Sequence, residues 1–297
     1  MQQLKSFLYP AAWLALLLLL LGPLPGQTLR AGEPVRVQVP DRAAIGEPIV
    51  VRLRSRVPFE RAAMQWLGHN GSVDLSGSNG SYTATALLGS DVKRHKAGSR
   101  RLRITLSGSG RYREIHRDIR LTEKERPVQR LTLPEKMVSL SQSELARHRR
   151  ESGAVGKALG TYRPRRDWSL PLARPAEGEI SSRYGLRRIL NGQPRSPHRG
   201  IDLRTGHGAR VRSCARGRVV LTGEHYFAGK SVYVDHGLGV VSMYFHLSEI
   251  SVEEGQRVAR GQGIGLSGKS GRTTGPHLHF GVSVRGNLVD PIPLLQE

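Results

Sequence analysis

A two-residue alternation of apolar and polar side chains, interrupted by glycine-rich turns, restricts the folds open to this chain more than any other feature. Val35, Val37 and Val39 alternate with Arg36 and Gln38; Val51, Leu53 and Ser55 alternate with Arg52, Arg54 and Arg56. Leu102, Ile104 and Leu106 alternate in the same way with Arg103, Thr105 and Ser107. Successive side chains of an extended strand point to opposite faces, so this period builds strands with one buried and one wet face. Gly, Ser and Asn clusters at residues 68–80 and 107–110 separate the runs at hairpin-like spacing. Residues 34–122 are therefore expected to form an immunoglobulin-like β-sandwich. Residues 176–297 repeat the theme in short β-runs at 210–214, 217–222, 231–235, 240–245 and 277–284, with no convincing helical period. The expected fold class is mainly all-β, in two regions.

Between them, residues 123–175 read as a linker. Ser141 or Ser143 is placed to cap a helix running to about Leu159. Residues 160–175 carry three prolines and read as an extended connector. At the other end, Lys5 precedes an apolar core from Ala11 to Leu21, and Gly22-Pro23-Leu24-Pro25-Gly26 ends it. That core is shorter than the roughly 20 apolar residues of a membrane span. Residues 1–26 are expected to be a secretory signal peptide, with a retained membrane anchor as the alternative.

The formal charge of +22 implies an anionic partner. The bases are scattered along the whole chain, so the charge does not identify that partner. Export argues against nucleic acid and leaves anionic wall polymer or lipid as the expected partner, with no stable membrane span expected after signal cleavage. The single cysteine, Cys214, excludes an internal disulfide framework and a Cys-rich zinc module; a buried structural thiol is expected.

Seven of the 11 histidines lie between His198 and His279. His198 and Asp202 are four apart, and even spacing in extended chain places both on one face. His246 ends the apolar run from Val240. His277 and His279 flank Leu278, so alternation aims both imidazoles one way while Leu278 and Phe280 enter the core. Two imidazoles and a carboxylate on a rigid β scaffold suit a catalytic zinc, which keeps a fourth position open and lowers the pKa of bound water to about 7. Further histidines nearby can move protons or steady a developing oxyanion. His207, His225 and His236 sit beside glycines and are expected to be structural. His69, His95 and His116 are expected to be exposed and far apart.

The region from about Gly178 to Leu295 resembles the lysostaphin-type (LytM-like) zinc metallopeptidases that act on peptidoglycan peptides. The resemblance rests on Ile180-Ser181-Ser182-Arg183-Tyr184-Gly185, Pro197-His198-Arg199-Gly200-Ile201-Asp202-Leu203 and Val234-Asp235-His236-Gly237. It continues through Met243-Tyr244-Phe245-His246-Leu247-Ser248, Thr274-Gly275-Pro276-His277-Leu278-His279-Phe280 and Val289-Asp290-Pro291. It implies a small antiparallel β domain with a peptide-binding groove over residues 176–297. By the same resemblance His198, Asp202 and His279 are the ligands of one Zn2+ per chain, and His246 and His277 are the catalytic pair. Many members carry Glu where this chain has Gly281, which implies altered groove chemistry. Glycines in 261–265 and 267–271 either admit substrate backbone closely or serve ordinary tight turns.

The implied activity is that of an exported, most simply periplasmic, zinc endopeptidase hydrolysing cross-links or stem peptides of peptidoglycan. The alternative is a wall-binding regulator that keeps the fold without turnover. Segments outside the catalytic domain block the zinc in some relatives, so residues 176–297 alone are expected to be more active than the mature chain.

Overall fold

The computed structural model describes residues 34–132 and 141–296. The expected signal peptide at 1–26 lies outside the described residues. Among the described residues, no helix is long and apolar enough to cross a membrane.

The N-terminal region holds nine strands: β1 (Val35–Gln38), β2 (Arg42–Ala44), β3 (Ile49–Ser55), β4 (Arg61–Trp66), β5 (His69–Asp74), β6 (Ser76–Ser78), β7 (Ser81–Leu88), β8 (Gly98–Gly108) and β9 (Arg111–Thr122). They form a four-stranded sheet, β1-β3-β7-β6, and a five-stranded sheet, β2-β9-β8-β4-β5. The alternation behaves as expected. Val51, Leu53, Leu102, Ile104 and Leu106 are buried, while Arg52, Arg54 and Arg103 stay in solvent. A sheet with one dry face needs a second dry face against it, and this is the physical origin of the sandwich.

The linker contributes more than a spacer. A short strand, β10 (Val128–Leu131), pairs in parallel with β12 (Arg187–Leu190) of the second half. The helix α1 spans Gln142–Leu159, and Ser141 caps it in a capping box. The Glu144 amide donates to Ser141 Oγ at 3.3 Å, and the Ser141 amide donates to Glu144 Oε2 at 2.8 Å. Two amides that the helix leaves orphaned are satisfied in this way. Val155 and Leu159 of α1 pack on the same apolar cluster as Val220 and Leu221. Residues 160–175 run over the C-terminal sheet without regular structure but pinned to it. The amides of Asp167, Leu172 and Ala173 donate to the carbonyls of His236, Leu294 and Cys214 at 2.8, 2.7 and 2.8 Å. The Arg163 guanidinium reaches the buried Asp235 carboxylate. A cut at Ala176 would remove the buried Trp168 and Leu172 along with these ties.

The C-terminal region contains β11 (Ile180–Ser182), β12, β13 (Gln193–Arg195), β14 (Ile201–Leu203), β15 (Arg210–Arg212), β16 (Gly217–His225), β17 (Gly229–Asp235), β18 (Val240–Ile250), β19 (Arg257–Val258), β20 (Gly263–Ser267), β21 (Leu278–Val284) and β22 (Asn287–Val289). Ten of these make one antiparallel sheet with the path β11-β14-β21-β18-β17-β16-β19 at its centre. Strand β18 extends past the expected end at Phe245, so His246 lies within the strand. Most buried apolar residues of the two halves form one continuous cluster, and a smaller one lies around Tyr233 and Met243. At their junction, Trp66 Nε1 donates to the Gly89 carbonyl at 3.0 Å, and a Cβ on Gly89 would come within 2.9 Å of Val289.

Candidate metal centre

Three neighbouring strands, β14, β21 and β18, place the central side chains. Register sets Asp202 opposite His279 and His279 opposite Phe245. Opposed residues of an antiparallel pair share a face, so Asp202, His279 and Phe245 stand in one row. The Phe245 ring stacks on His279, centroids 5.1 Å apart and planes 12° from parallel. His198 enters from the segment before β14. Leu278 and Phe280 are fully buried on the opposite face, as alternation requires.

The ligand atoms of His198, Asp202 and His279 all lie within 4.8 Å of one another. His198 Nε2 is 2.9 Å from His279 Nδ1 and 3.1 Å from Asp202 Oδ1, and His279 Nδ1 is 2.9 Å from Asp202 Oδ1. The opposite nitrogen of His198 decides its tautomer. Nδ1 lies 3.0 Å from the Arg183 carbonyl, which can only accept, so Nδ1 carries the proton and the Nε2 lone pair faces the centre. Ser182 Oγ supports the same nitrogen at 3.1 Å. Gly200 is what lets the rings meet: a Cβ there would lie 2.6 Å from His279 Nε2 and 2.5 Å from the Phe280 carbonyl.

His246 reaches the cluster through a bulge. Lys230 pairs with Leu247 and Val232 with Tyr244, so Phe245 and His246 together oppose Ser231. His246 takes a φ of 64°, in the left-handed region that a non-glycine residue seldom adopts. Bulges of this kind re-aim a side chain beside a functional site. The His246 ring ends 4.7 Å from that of His277 and 6.2 Å from that of His279, centroid to centroid. Its Nδ1 donates to the Ser270 carbonyl at 2.9 Å, leaving Nε2 as an acceptor. His277 is fixed alike, Nδ1 donating to the Gly275 carbonyl at 2.9 Å with Thr273 Oγ1 at 3.1 Å. Its Nε2 lies 3.7 Å from Asp202 Oδ1.

Electrostatics follow from this packing. Burial opposes ionisation of Asp202, but the adjoining imidazoles of His198 and His279 outweigh it and hold the carboxyl well below the usual carboxylate range. Burial, aided by the nearby His279 and His277 and opposed by the Ser270 carbonyl, pushes His246 down to about 3. Burial pushes His279 down to about 4 against the pull of Asp202. Two neutral imidazole nitrogens and one carboxylate oxygen are a donor set that fits zinc, and three protein donors leave a position open.

All five residues singled out from the sequence thus come together. Sequence reasoning missed the groups that orient them: Ser182, the carbonyls of Arg183, Ser270 and Gly275, and the stacked Phe245. It also missed Arg188, whose Nη2 lies 3.5 Å from Asp202 Oδ2. Backbone carbonyls leave no mark in a residue pattern, although the motif containing Gly200 did carry a signal. Gly281 differs from its expected role. It is buried beneath the methyl end of Met243, not open to the groove. Gly268 and Gly271 serve packing, since a Cβ at either would strike the backbone of Ser248 or Gly229. His236 is fully buried, with its Nδ1 donating to the Arg216 carbonyl at 2.8 Å and its Nε2 beside Ser242 Oγ and Cys214 Sγ. The thiol of Cys214 is likewise buried, as expected. Of His69, His95 and His116 only His116 is exposed; His69 and His95 are half-buried, and burial, with Arg285 and then His95 nearby, lowers the pKa of His69.

Residues 196–291 match Peptidase family M23, and the C-terminal region is an M23 domain. A crystal structure from Pseudomonas aeruginosa described as a peptidase M23 superposes with a TM-score of 0.62 at 29% identity, covering 83% of this chain and 92% of that one. The likeness therefore extends through the N-terminal region. Over 112 residues the chain is 46% identical to the peptidoglycan DD-endopeptidase ShyA of Vibrio cholerae, covering 37% of this chain and 26% of the relative. Over 113 residues it is 38% identical to the DD-carboxypeptidase/endopeptidase Mpg of Neisseria meningitidis, covering 38% and 26%. The chain thus spans about a quarter of the length of these curated relatives.

Proposed function

We propose that this chain is an exported zinc endopeptidase that cleaves cross-links or stem peptides of peptidoglycan. The observation that carries the proposal is the convergence of His198, Asp202 and His279 on one point, with His246 and His277 beside it. The family match over residues 196–291 spans all five, and a relative 46% identical over 112 residues is named a peptidoglycan DD-endopeptidase. His198 through Nε2, His279 through Nδ1 and Asp202 through its carboxylate would hold the metal. A zinc ion there supplies a Lewis acid for the scissile carbonyl and lowers the pKa of a water molecule. The protein's own contribution is to place proton acceptors. His246 is kept neutral by burial, with its proton fixed on Nδ1, so Nε2 is free to take a proton from an attacking water. His277 offers a second Nε2, which once protonated donates to the developing oxyanion or returns the proton to the departing amine.

The bases on the exposed strand faces give the enzyme affinity for anionic wall polymer or lipid, an attraction that salt weakens. In the test, zinc-loaded protein is incubated with purified sacculi, with and without chelator, and the muropeptides are identified by mass spectrometry. Metal-dependent appearance of cleaved peptides supports the reading. Intact cross-links and stems at every pH tried would overturn it.

A further inference from the structure

The junction of the two halves encloses a cavity of about 250 Å³ that the peptidase reading does not use. His69 and Asn70 of β5 line it, with Arg94 from the β7–β8 loop, Tyr162 from the connector and Arg285 from the β21–β22 turn. No acidic side chain lines it. Arg285 reaches from the C-terminal sheet across to the N-terminal one. A Cβ on Gly71, in β5, would lie 2.2 Å from its guanidinium carbon, and a Cβ on Gly239 would lie 2.7 Å from its Cγ. Gly71 sits in a strand and needs no left-handed backbone, so this position requires the missing side chain itself. The guanidinium carbon stands 5.6 Å from the Tyr162 ring centroid. Its Nε and Nη1 are buried without a hydrogen-bond partner, and no carboxylate pairs with it among the described residues. Arg94 is held at the rim, its Nη1 donating to the Gly286 carbonyl at 3.1 Å. Burial disfavours the charge of His69, and Arg285, His95 and Arg94 add to the effect.

A guanidinium cannot shed its proton, so burying it without a carboxylate leaves a charge that only the face of Tyr162 offsets. An anion in the cavity offsets the rest. The donors come from three separate elements, and a tetrahedral oxyanion, with acceptor oxygens in several directions, uses such a set better than a planar carboxylate. We propose that this cavity is a binding site for a phosphoryl group, held by Arg285 and Arg94 with His69 and Asn70 beside them. Arg285 belongs to the C-terminal half, whereas Arg94, His69 and Asn70 belong to the sandwich, so a bound phosphoryl group ties the two halves together. None of the five residues of the metal centre lines the cavity, and the site is independent of the peptidase reading.

The test titrates inorganic phosphate into the full mature chain, zinc-loaded, by calorimetry in chloride of matched ionic strength. A saturable phosphate should bind with a Kd below about 1 mM, and the thermal midpoint should rise with its concentration. R285Q should weaken that binding at least about tenfold. Arg94 is exposed, so R94Q tests the site without disturbing the core, and about a fivefold loss is expected. R54Q, on an exposed strand face, should bind phosphate as the wild type does. Acetate should bind at least about tenfold more weakly than phosphate. Glycerophosphoglycerol separates the sources of the ligand: affinity equal to that of phosphate means that a chain phosphodiester is accepted, and weaker binding means a free or terminal phosphoryl group. Absence of saturable phosphate binding would overturn the site. Equal affinity in the wild type, R94Q and R285Q would do the same, by placing the anion at the metal centre or on scattered bases. Acetate bound as tightly as phosphate would overturn the phosphoryl assignment.

Discussion

The two halves of this protein are made from the same alternating strands, yet their interiors differ. In the N-terminal sandwich the buried polar residues are Ser55, Ser90 and Asp91. The C-terminal sheet buries Ser213, Ser231, Asp235, His236, Ser242, Ser267 and Ser283, besides His198, Asp202 and His246. Buried polar groups cost stability unless each finds a partner, so a region rich in them needs a dense hydrogen-bond network. Asp91 apart, the sandwich keeps its charges outside, in exposed pairs such as Arg101–Asp118 and Arg61–Asp74. One region is built to be stable and basic on the outside. The other accepts strain and buried charge in order to hold five side chains at one point, and His246 at a φ of 64° is the clearest sign of it.

The contrast is open to direct attack. The largest effect is expected from H198A, D202A or H279A. Each should abolish stoichiometric zinc binding, measured by atomic absorption, and lower cleavage of sacculi by more than about 10^3-fold. A variant that keeps both zinc and turnover would remove the metal centre from the comparison. H246A and H277A should lower kcat by about 10^2- to 10^4-fold while zinc content stays at one per chain. In the sandwich the opposite separation is expected. W66A deletes a fully packed indole and its bond to Gly89, so urea unfolding should show a loss of about 3–5 kcal/mol, with turnover per folded molecule retained. A smaller change comes from S182A, which removes one support of the His198 tautomer but leaves the Arg183 carbonyl. Zinc affinity should fall about tenfold, read by competition with a chelating dye. Smallest of all is R101A, in a fully exposed pair, for which the thermal midpoint should not move measurably. A large shift there would mean that surface pairing, not the dry core, holds the sandwich together.

The linker belongs to this comparison as well. Sequence composition marks residues 160–175 as a connector, because prolines and arginines give no period. In the structure Arg163 meets Asp235, and Trp168 and Leu172 are buried on the C-terminal sheet. The expectation that residues 176–297 alone are more active presumes that this fragment folds as it does in the whole chain. The loss of β10, Trp168 and Leu172 predicts instead that a fragment beginning at Ala176 unfolds at lower urea than one beginning before β10. Activity per folded molecule, rather than total activity, is the quantity that tests restraint by the N-terminal region.

Much of this protein was determined locally and so could be read from sequence. The period of two decided which face of β3, β8 and β21 is dry, since that follows from the geometry of a single strand. Ser141 and Glu144 determined where α1 begins, through bonds spanning three residues. The motifs around His198, His246 and His277 marked the residues that meet at the centre. Tertiary structure alone decided how they meet. The opposition of Asp202 to His279 depends on the register of β14 against β21, and the aim of His246 on a bulge between β17 and β18. The tautomers of His198 and His246 depend on carbonyls 15 and 24 residues away in the chain. Register, bulges and carbonyl contacts join segments remote in the chain, and no local pattern of side chains encodes the distance between them.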